Sequence, residues 1–342
     1  MPLVAVDANG ADLGPAEVAA GAAIAAERGV RVRLYGPAAE MGEVPPGVEV
    51  VDAPVSIAKA ADPAYAARRT PEASIVQAAR AVGAGDADAL VSGGSTGSAL
   101  AAGLFHLKRA RGVYRPALAL PIPVPGAPVL LLDVGANAEV RPEHLVQFAF
   151  MGAAFAEAVL GVRHPRVGLL SNGEEPTKGT PDVIAVHEQL AARRGERLNF
   201  VGNVEGTGLV AGAADVVVTD GFTGNVTLKV LEGAATRMVD VIRERAVASP
   251  RAKLGGALLR PALRGVRDEI DPELTGGAYM LGLRKVGVVA HGRFTRRGFA
   301  RAIEVAAQAV DEDVIGRTHA ALEAVGALRA SSSGEAATVP TP

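Results

Sequence analysis

The sequence predicts a three-layer α/β fold, in which a mostly parallel sheet is covered by helices on both faces. Short apolar runs without polar alternation recur along the chain, and most of them end at a polar residue or at glycine. Runs of this kind are typical of strands that are buried on both faces. Alanine-rich stretches with helical character separate most of the runs, and this alternation favours a parallel sheet.

The elements follow in order along the chain. The predicted strands are Leu3–Val6, Ala89–Val91, Val129–Leu132, Val167–Leu170, Phe200–Val201, Val216–Val218 and Val286–Ala290. The predicted helices are Glu17–Arg28, Ser74–Val82, Ala99–Arg109 and Glu143–Leu160. Open α/β sheets bind ligands at the carboxyl ends of their strands, so we expect the polar loops after these strands to gather there.

Residues 1–329 are expected to form a single large α/β catalytic unit, and a division into two lobes stays open. The low-complexity end, residues 330–342, is expected to be disordered. The start of the chain lacks a secretion signal, and no apolar run reaches 18 residues. The sequence therefore predicts a cytoplasmic protein.

The composition excludes several classes of site. The chain has no Cys, which excludes disulfides, thiolate metal sites and thiol nucleophiles. Aromatic residues make up 4% of the chain and the net charge is −2, so a nucleic-acid platform is not expected. No His, Asp and Glu cluster has metal-ligand spacing, and no metal is expected.

The loop Ser92–Ser98 is the sharpest local feature. Its glycines allow successive N–H groups to face one point, and Ser95 and Thr96 add hydroxyl donors at the start of a helix. The prediction is an anion cradle, and the alternative is a tight turn with a serine cap. The candidate residues of this loop and of the first loop are Asp7, Gly10, Ser92, Gly94, Ser95, Thr96 and Gly97.

Two segments resemble nucleotide motifs and fail on spacing. In Asn172–Thr180 the order is Lys-Gly-Thr, whereas a Walker A loop needs Gly-Lys-Ser/Thr. Gly206–Ala211 matches G-x-G-x-x-A, but the acidic residues after it come too soon. Neither ATP nor a dinucleotide is therefore expected, and Asn172 and Lys178 remain candidates on a loop that could equally be an ordinary surface loop.

Further candidates follow the later strands. Asp220–Asn225 joins a strand to a helix, and Lys229 lies one turn beyond Asn225 on the same face. His291 closes the last predicted strand and is a candidate acid or base, or else a structural residue. The set is completed by Asp133, Asn137, Asp220, Thr223 and Gly224.

A basic, leucine-rich stretch at about 249–273 predicts a protruding amphipathic hairpin. Gly255-Gly256 and Pro261 should break it into two short helices. Such a hairpin suits an anionic membrane surface, an acidic partner, or packing in a dimer. The candidate membrane-binding residues are Leu254, Leu258, Leu259, Leu263 and Val266.

Taken together, these stretches resemble the phosphate acyltransferase family called PlsX over about residues 2 to 311. Among the matching segments are Ala5–Asp12, Val91–Phe105, Leu131–Asn137, Arg166–Gly179 and Ala214–Lys229. Asn9, Ala11, Gly93 and Ser95 depart from the family pattern, so the resemblance assigns no family role to Asn9 or Ser95. The resemblance implies a fold like phosphotransacetylase and isopropylmalate dehydrogenase.

The resemblance also implies a reaction and partners. A long-chain acyl group would move from acyl carrier protein to inorganic phosphate, giving acyl phosphate for phospholipid synthesis. No cofactor is implied. A homodimer at the inner face of the cell membrane is implied, with the downstream glycerol-3-phosphate acyltransferase as a further partner. Lys178 and Lys229 would offset negative charge, His291 would move a proton, and Arg293, Arg296 and Arg297 could meet the acidic carrier protein.

Other functions remain open at this point. A phosphotransacetylase acting on coenzyme A thioesters would have a similar layout. A dehydrogenase is disfavoured because a nucleotide loop and an acidic metal cluster are not found. A non-catalytic membrane scaffold is the alternative from another class.

Overall fold

The computed structural model describes residues 1–126, 128–195 and 198–329. The tail predicted to be disordered, residues 330–342, lies outside the described residues. Within them, eleven strands form one sheet in the order β3-β2-β1-β4-β11-β10-β5-β6-β9-β7-β8. The strands are β1 Leu3–Asp7, β2 Arg31–Gly36, β3 Val48–Asp52, β4 Ala89–Ser92, β5 Ala117–Ile122, β6 Val129–Leu132, β7 Arg166–Leu170, β8 Asn199–Val204, β9 Val216–Val218, β10 Ala278–Leu281 and β11 Val286–Val289.

Helices cover both faces of the sheet. They are α1 Pro15–Glu27, α2 Pro63–Arg69, α3 Ser74–Ala84, α4 Thr96–Ala102, α5 Pro142–Ala158, α6 Pro181–Ala192, α7 Gly206–Val210, α8 Gly221–Ala246, α9 Pro250–Glu269, α10 Arg296–Asp311 and α11 Val314–Ala324. Apolar side chains pack on each face of the sheet, with Phe148, Phe155 and Phe299 on one side and Leu90 and Leu118 on the other. The predicted three-layer α/β architecture is confirmed.

The sheet contains two parallel blocks that run in opposite directions. The first block is β3-β2-β1-β4-β11, and the second is β6-β9-β7-β8. Between them, β10 is antiparallel to both β11 and β5, and β5 is antiparallel to β6. The polar loops do lie at the carboxyl ends of the strands, but they form two groups, because the carboxyl ends of the two blocks belong to different edges of the sheet.

Every predicted strand and helix has a counterpart, and four strands were not predicted. In β2, Arg31 and Arg33 interrupt the apolar run, and β5 contains Pro121, which is atypical of a strand interior. β3 has a largely exposed pattern. The helix predicted over Ala99–Arg109 is in fact α4 followed by a π-helical turn, Gly103–Leu107.

The prediction of two short helices within 249–273 is wrong. α9 is one continuous helix with Pro261 inside it, and its hairpin partner is the long helix α8. Ser249 begins α9 by accepting a hydrogen bond from the N–H of Ala252 at 3.1 Å. Gly256 lies against Ala246 of α8, where an added Cβ would be 3.1 Å from the Ala246 Cβ. Glycine therefore serves close helix packing at this position and does not end the helix.

Candidate functional site

Asp7, at the end of β1, lies at the centre of a buried polar network. Its two carboxylate oxygens accept hydrogen bonds from the hydroxyls of Ser74 at 2.6 Å and Ser92 at 2.9 Å, and the N–H of Asn9 donates at 3.2 Å. Burial raises the pKa of Asp7 to about 6, although these hydrogen bonds oppose the rise. Because its carboxylate oxygens accept hydrogen bonds from protein groups, Asp7 holds the loops together and is not itself a phosphate-binding group.

The first two loops meet closely around Gly10 and Gly94. Gly10 has φ +88°, and a Cβ there would lie 3.0 Å from the Cα of Gly94. A Cβ on Gly94 would in turn lie 3.0 Å from the carbonyl oxygen of Asn9. Asn9 is buried, and its amide donates to the carbonyl oxygen of Ala53 at 3.0 Å. Glycine is needed here because two backbones approach each other directly.

The turn after Gly94 leaves donors near the surface. Ser95 caps α4 by accepting from the N–H of Ser98 at 3.3 Å, and its hydroxyl donates to the Ser98 hydroxyl at 2.9 Å. Thr96 is exposed, and Gly97 packs against Pro63. The first amides of a helix have no intrahelical acceptors, so those of Thr96 and Gly97 are suited to an anion.

His291 follows β11 on the same side of the sheet as these loops. It is exposed, and its Nδ1 accepts a hydrogen bond from the N–H of Arg293 at 3.1 Å. Nδ1 is then an acceptor, so the proton of the neutral ring is on Nε2. Gly292 accepts a backbone hydrogen bond from Asp12 at 2.8 Å, which joins this loop to the first one. His291 thus presents an N–H donor outward.

A second group of loops follows β6 and β9, and Asp133 organises it. The carboxylate of Asp133 accepts from the backbone N–H groups of Leu118 at 3.0 Å, Ala136 at 2.9 Å and Asn137 at 2.8 Å. Burial raises the pKa of Asp133, and these hydrogen bonds oppose that shift. Like Asp7, Asp133 is directed at the protein and shapes the loop that follows it.

The loop after Asp133 packs against the first turn of α8. Asn137 donates to the carbonyl oxygen of Pro116 and to Asp133, both at 2.8 Å, and its own carbonyl oxygen accepts from the N–H of Gly221 at 2.8 Å. A Cβ on Gly224 would overlap the carbonyl oxygen of Asp133. The glycines of this turn therefore let the helix start against the loop.

The predicted residues on α8 divide into structural and accessible ones. Asp220 is the N-cap and accepts from the N–H of Thr223 at 2.8 Å, so its carboxylate stabilises the helix start. Asn225 is half-buried beside Gly135, where a Cβ would lie 3.7 Å from the Asn225 Cβ. Lys229 is exposed one turn later, as the spacing predicts. Thr223 is exposed as well, so the predicted side chains available to a ligand are those of Thr223, Asn225 and Lys229.

Lys178 lies on the loop after β7, the strand next to β9. It is exposed, and its N–H closes a turn to the carbonyl oxygen of Glu175 at 3.0 Å. Asn172 is exposed at the start of this loop. Gly173 is required because a Cβ there would lie 2.6 Å from the Cγ of Lys178. The same edge of the sheet therefore carries Lys178, Asn225 and Lys229.

Two residues that sequence reasoning missed anchor this loop. Asn203 donates to the carbonyl oxygen of Glu175 at 2.8 Å, and its Oδ1 lies 2.9 Å from Nδ1 of the buried His187. His187 packs edge-on against Phe200. A histidine among apolar residues of a helix gives a weak signal, and Asn203 lies beyond the Gly202 at which the strand was expected to end.

The hairpin residues are exposed as predicted. The exposed fractions are 67% for Leu254, 76% for Leu258, 59% for Leu259, 39% for Leu263 and 53% for Val266. α9 contains no buried residue. A second row of exposed apolar side chains runs along α8 at Phe222, Val226, Val230, Met238 and Ile242. No helix within residues 1–126, 128–195 and 198–329 is long and apolar enough to cross a membrane.

A cavity of about 700 Å³ lies apart from these loops. Its walls include Phe150, His164, Arg194, Leu198 and Arg317. His164 and Leu198 precede β7 and β8, so the cavity is at the amino ends of these strands, opposite the Lys178 loop. The side chains with candidate roles are at the carboxyl ends, and we therefore place the candidate site there.

Known proteins resemble this chain both in sequence and in fold. The family model described as "Fatty acid synthesis protein" matches residues 3–317. A phosphate acyltransferase of Desulfitobacterium hafniense is 42% identical over 92% of this chain and 96% of its own length.

Among solved structures, a phosphotransacetylase from Streptococcus pyogenes has a TM-score of 0.59 at 17% identity and covers 91% of this chain and 94% of its own. A 4-hydroxythreonine-4-phosphate dehydrogenase from Klebsiella pneumoniae has a TM-score of 0.53 at 15% identity and covers 91% of this chain and 100% of its own. These likenesses show the shared fold, and the sequence matches show the family. The chain therefore belongs to the PlsX family of phosphate acyltransferases of fatty acid and phospholipid synthesis.

Proposed function

We propose that this phosphate acyltransferase takes a long-chain acyl group from acyl carrier protein and transfers it to inorganic phosphate. The observation that carries the proposal is the placement of Lys178 on the loop after β7, and of Asn225 and Lys229 on the helix α8 that follows the adjacent strand β9. Two ammonium groups and an amide at one edge of the sheet suit a dianionic nucleophile and a developing oxyanion. Direct attack by phosphate also fits a chain without Cys.

The two loop groups can serve one cleft despite their opposite strand directions. Adjacent strands in a sheet rotate by about 20–25° relative to each other, so four steps from β4 to β6 give about 80–100°. The carboxyl ends of the two blocks then point roughly at right angles and not directly apart. This supports a cleft between two lobes, with the amides of Thr96 and Gly97 on one side and the lysines on the other.

The chemistry needs one bond exchange and one proton transfer. A phosphate oxygen attacks the thioester carbonyl, the oxyanion collapses, and the C–S bond breaks to give acyl phosphate and a thiolate. The phosphate hydroxyl loses its proton in this exchange, and the thiolate gains one. His291 presents its Nε2–H outward, which supports a hydrogen bond to the departing sulfur, and the proton that the phosphate hydroxyl loses balances the one that the thiolate gains. Lys178 and Lys229 offset the negative charge of phosphate and the oxyanion.

The helical hairpin supports two further proposals, a homodimer and peripheral attachment to the inner face of the cell membrane. The row Phe222, Val226 and Val230 on α8 is spaced by four and suits packing against a second copy. The leucines of α9 lie near basic residues and suit an anionic lipid surface. An amphiphilic acyl phosphate released there would pass readily to the next enzyme, a glycerol-3-phosphate acyltransferase.

The pure protein tests the proposal directly. Mixed with acyl carrier protein loaded with a labelled acyl chain, and with inorganic phosphate, it should form acyl phosphate, which hydroxylamine traps as the hydroxamate. Acyl coenzyme A competes in the same assay, because the structural likeness to phosphotransacetylase favours that donor as the second candidate. A higher kcat/KM for acyl coenzyme A, or no product from either donor, would refute the proposed donor.

A further inference from the structure

A dense group of cations lies beside the Asp133 loop and has no role in the proposed chemistry. The basic patch consists of Lys108, Arg109, Arg111, Arg115, Arg284 and Lys285. Five of these side chains are exposed and Lys285 is half-buried. The first four come from the segment between the π-helical turn and β5, and the last two from the turn between β10 and β11.

The charge of the basic patch is not neutralised within the described chain. Residues 89–132 and 274–303, which contain the patch, have no Asp or Glu. None of the six cations forms a salt bridge with a carboxylate of residues 1–126, 128–195 or 198–329. Burial, with the neighbouring cations Arg80 and Lys108 adding to it, lowers the pKa of His106. A surface with this field attracts an acidic partner and speeds its association.

Backbone contacts hold the two segments of the patch together. The N–H of Arg284 donates to the carbonyl oxygen of Lys108 at 2.9 Å, and its Nε donates to that of Arg109 at 3.1 Å. The guanidinium of Arg109 donates to the carbonyl oxygen of Tyr114 at 2.6 Å. The backbone that carries these cations is therefore ordered before a partner binds, which reduces the loss of conformational entropy on binding.

The patch adjoins the candidate site. Arg115 precedes Pro116, whose carbonyl oxygen accepts from Asn137 at 2.8 Å. Two residues later, the N–H of Leu118 donates to Asp133 at 3.0 Å. The Asp133 loop in turn contacts the start of α8, where Gly135 lies beside Asn225. A protein bound to the patch would thus sit next to the loops that carry the proposed chemistry.

We infer that the basic patch docks the acidic carrier protein that delivers the acyl thioester. This inference rests on the proposed function. Of the three arginines first considered for this contact, Arg296 pairs with Glu17 at 2.8 Å and Arg293 faces Asp12 at 3.9 Å, so that Arg297 alone is an exposed cation of comparable availability. A lipid surface fits the patch less well, because residues 106–115 and 281–287 contain none of the exposed large apolar side chains.

The test reverses two charges whose side chains lie at the surface. Arg111→Glu with Arg115→Glu should raise KM for acyl carrier protein by about tenfold or more and remove its dependence on salt. KM for phosphate and turnover of acyl-pantetheine, the same thioester without the protein, should stay within about twofold of wild type, since neither is expected to use the patch. The matched control, Arg31→Glu with Arg163→Glu, changes the net charge equally at exposed sites and should leave KM for acyl carrier protein unchanged.

The outcomes separate the two proposals. If the wild-type protein makes no acyl phosphate from acyl carrier protein, the proposed function fails and the docking role fails with it. If the wild-type protein does so and the patch variant keeps its KM, only the docking role is overturned. Loss of binding to phosphatidylglycerol vesicles with an unchanged KM for acyl carrier protein would overturn it in favour of a lipid surface.

Discussion

The hydroxyl of Ser92 donates to Asp7 at 2.9 Å, and its oxygen accepts from the N–H of Gly94 at 3.1 Å. One side chain thus joins the end of β1 to the glycine turn that begins the proposed anion cradle. Because Asp7 is enclosed, its charge state is coupled to the geometry of that turn.

Asp7 should make stability depend on pH. Its pKa in the folded protein is about 6 and its ordinary value is 3.8, so the folded state holds the proton more tightly between these values. The free energy of unfolding should therefore fall as pH rises from 4 to 6, by up to about 3 kcal/mol from this group. Urea unfolding across this range should show a smaller fall in Asp7→Asn than in wild type. Equal slopes would contradict the assignment.

Gly224 should tolerate no side chain. In Gly224→Ala the new methyl group would overlap the carbonyl oxygen of Asp133, so the start of α8 or the Asp133 loop must move. We expect a loss of about 2 kcal/mol or more in the free energy of unfolding. Gly233→Ala in the same helix is the control, because no atom lies within 4 Å of its Cβ position. That change should stabilise the protein by up to about 1 kcal/mol.

Lys178 should contribute to turnover, and Asn203 should contribute indirectly by holding the loop that carries Lys178. Lys178→Ala removes a cation and is expected to lower kcat/KM for phosphate by about 10²-fold or more. Asn203→Ala releases the loop at Glu175 and should lower kcat/KM by about tenfold, mainly through kcat, and it should also lower Tm because the buried His187 loses its hydrogen-bond partner.

Asn199→Ala, on the same strand but bonded to the His164 carbonyl oxygen, is the matched control and should behave like wild type. Wild-type kinetics in Lys178→Ala would remove Lys178 from the mechanism. A kcat in Asn203→Ala equal to that of the control would leave Asn203 without a positioning role.

Substitutions on the two helices of the hairpin should affect lipid binding and self-association separately. Leu258→Glu with Leu263→Glu places charges on α9 and should abolish binding to anionic liposomes while activity on soluble acyl carrier protein persists. Val230→Glu with Met238→Glu places them on α8 and should dissociate the proposed dimer, as measured by sedimentation. Retained liposome binding in the α9 variant would refute the membrane role and favour dimer packing.

The sequence predicted those parts of the fold that depend on uninterrupted apolar runs. β1, β4, β6 and β9 are buried throughout and stood out for that reason. β2 did not, because Arg33 pairs with Glu49 of β3 near the edge of the sheet and breaks the run. Strand direction is not encoded in such runs, so the reversal at β10 and β5 could not be foreseen.

The candidate site was predicted at the level of loops and not of individual contacts. Asp7, Asp133 and Asp220 were grouped with ligand-binding residues because each follows a strand, yet each accepts hydrogen bonds from its own backbone surroundings. Only tertiary packing distinguishes a carboxylate that shapes a loop from one that faces a ligand. For the same reason Ser74, 67 residues from Asp7 in sequence, gave no signal.

Pro261 within α9 limits how deeply this helix can enter a bilayer. Proline has no N–H, so the carbonyl group of Ala257, one turn earlier, has no intrahelical donor. Placing an unpaired carbonyl group in hydrocarbon costs several kcal/mol, whereas at the headgroup level water can donate a hydrogen bond to it. In the proposed membrane role, α9 would lie at the level of the lipid headgroups, with its leucines just inside the hydrocarbon. Attachment would then be shallow and readily reversed.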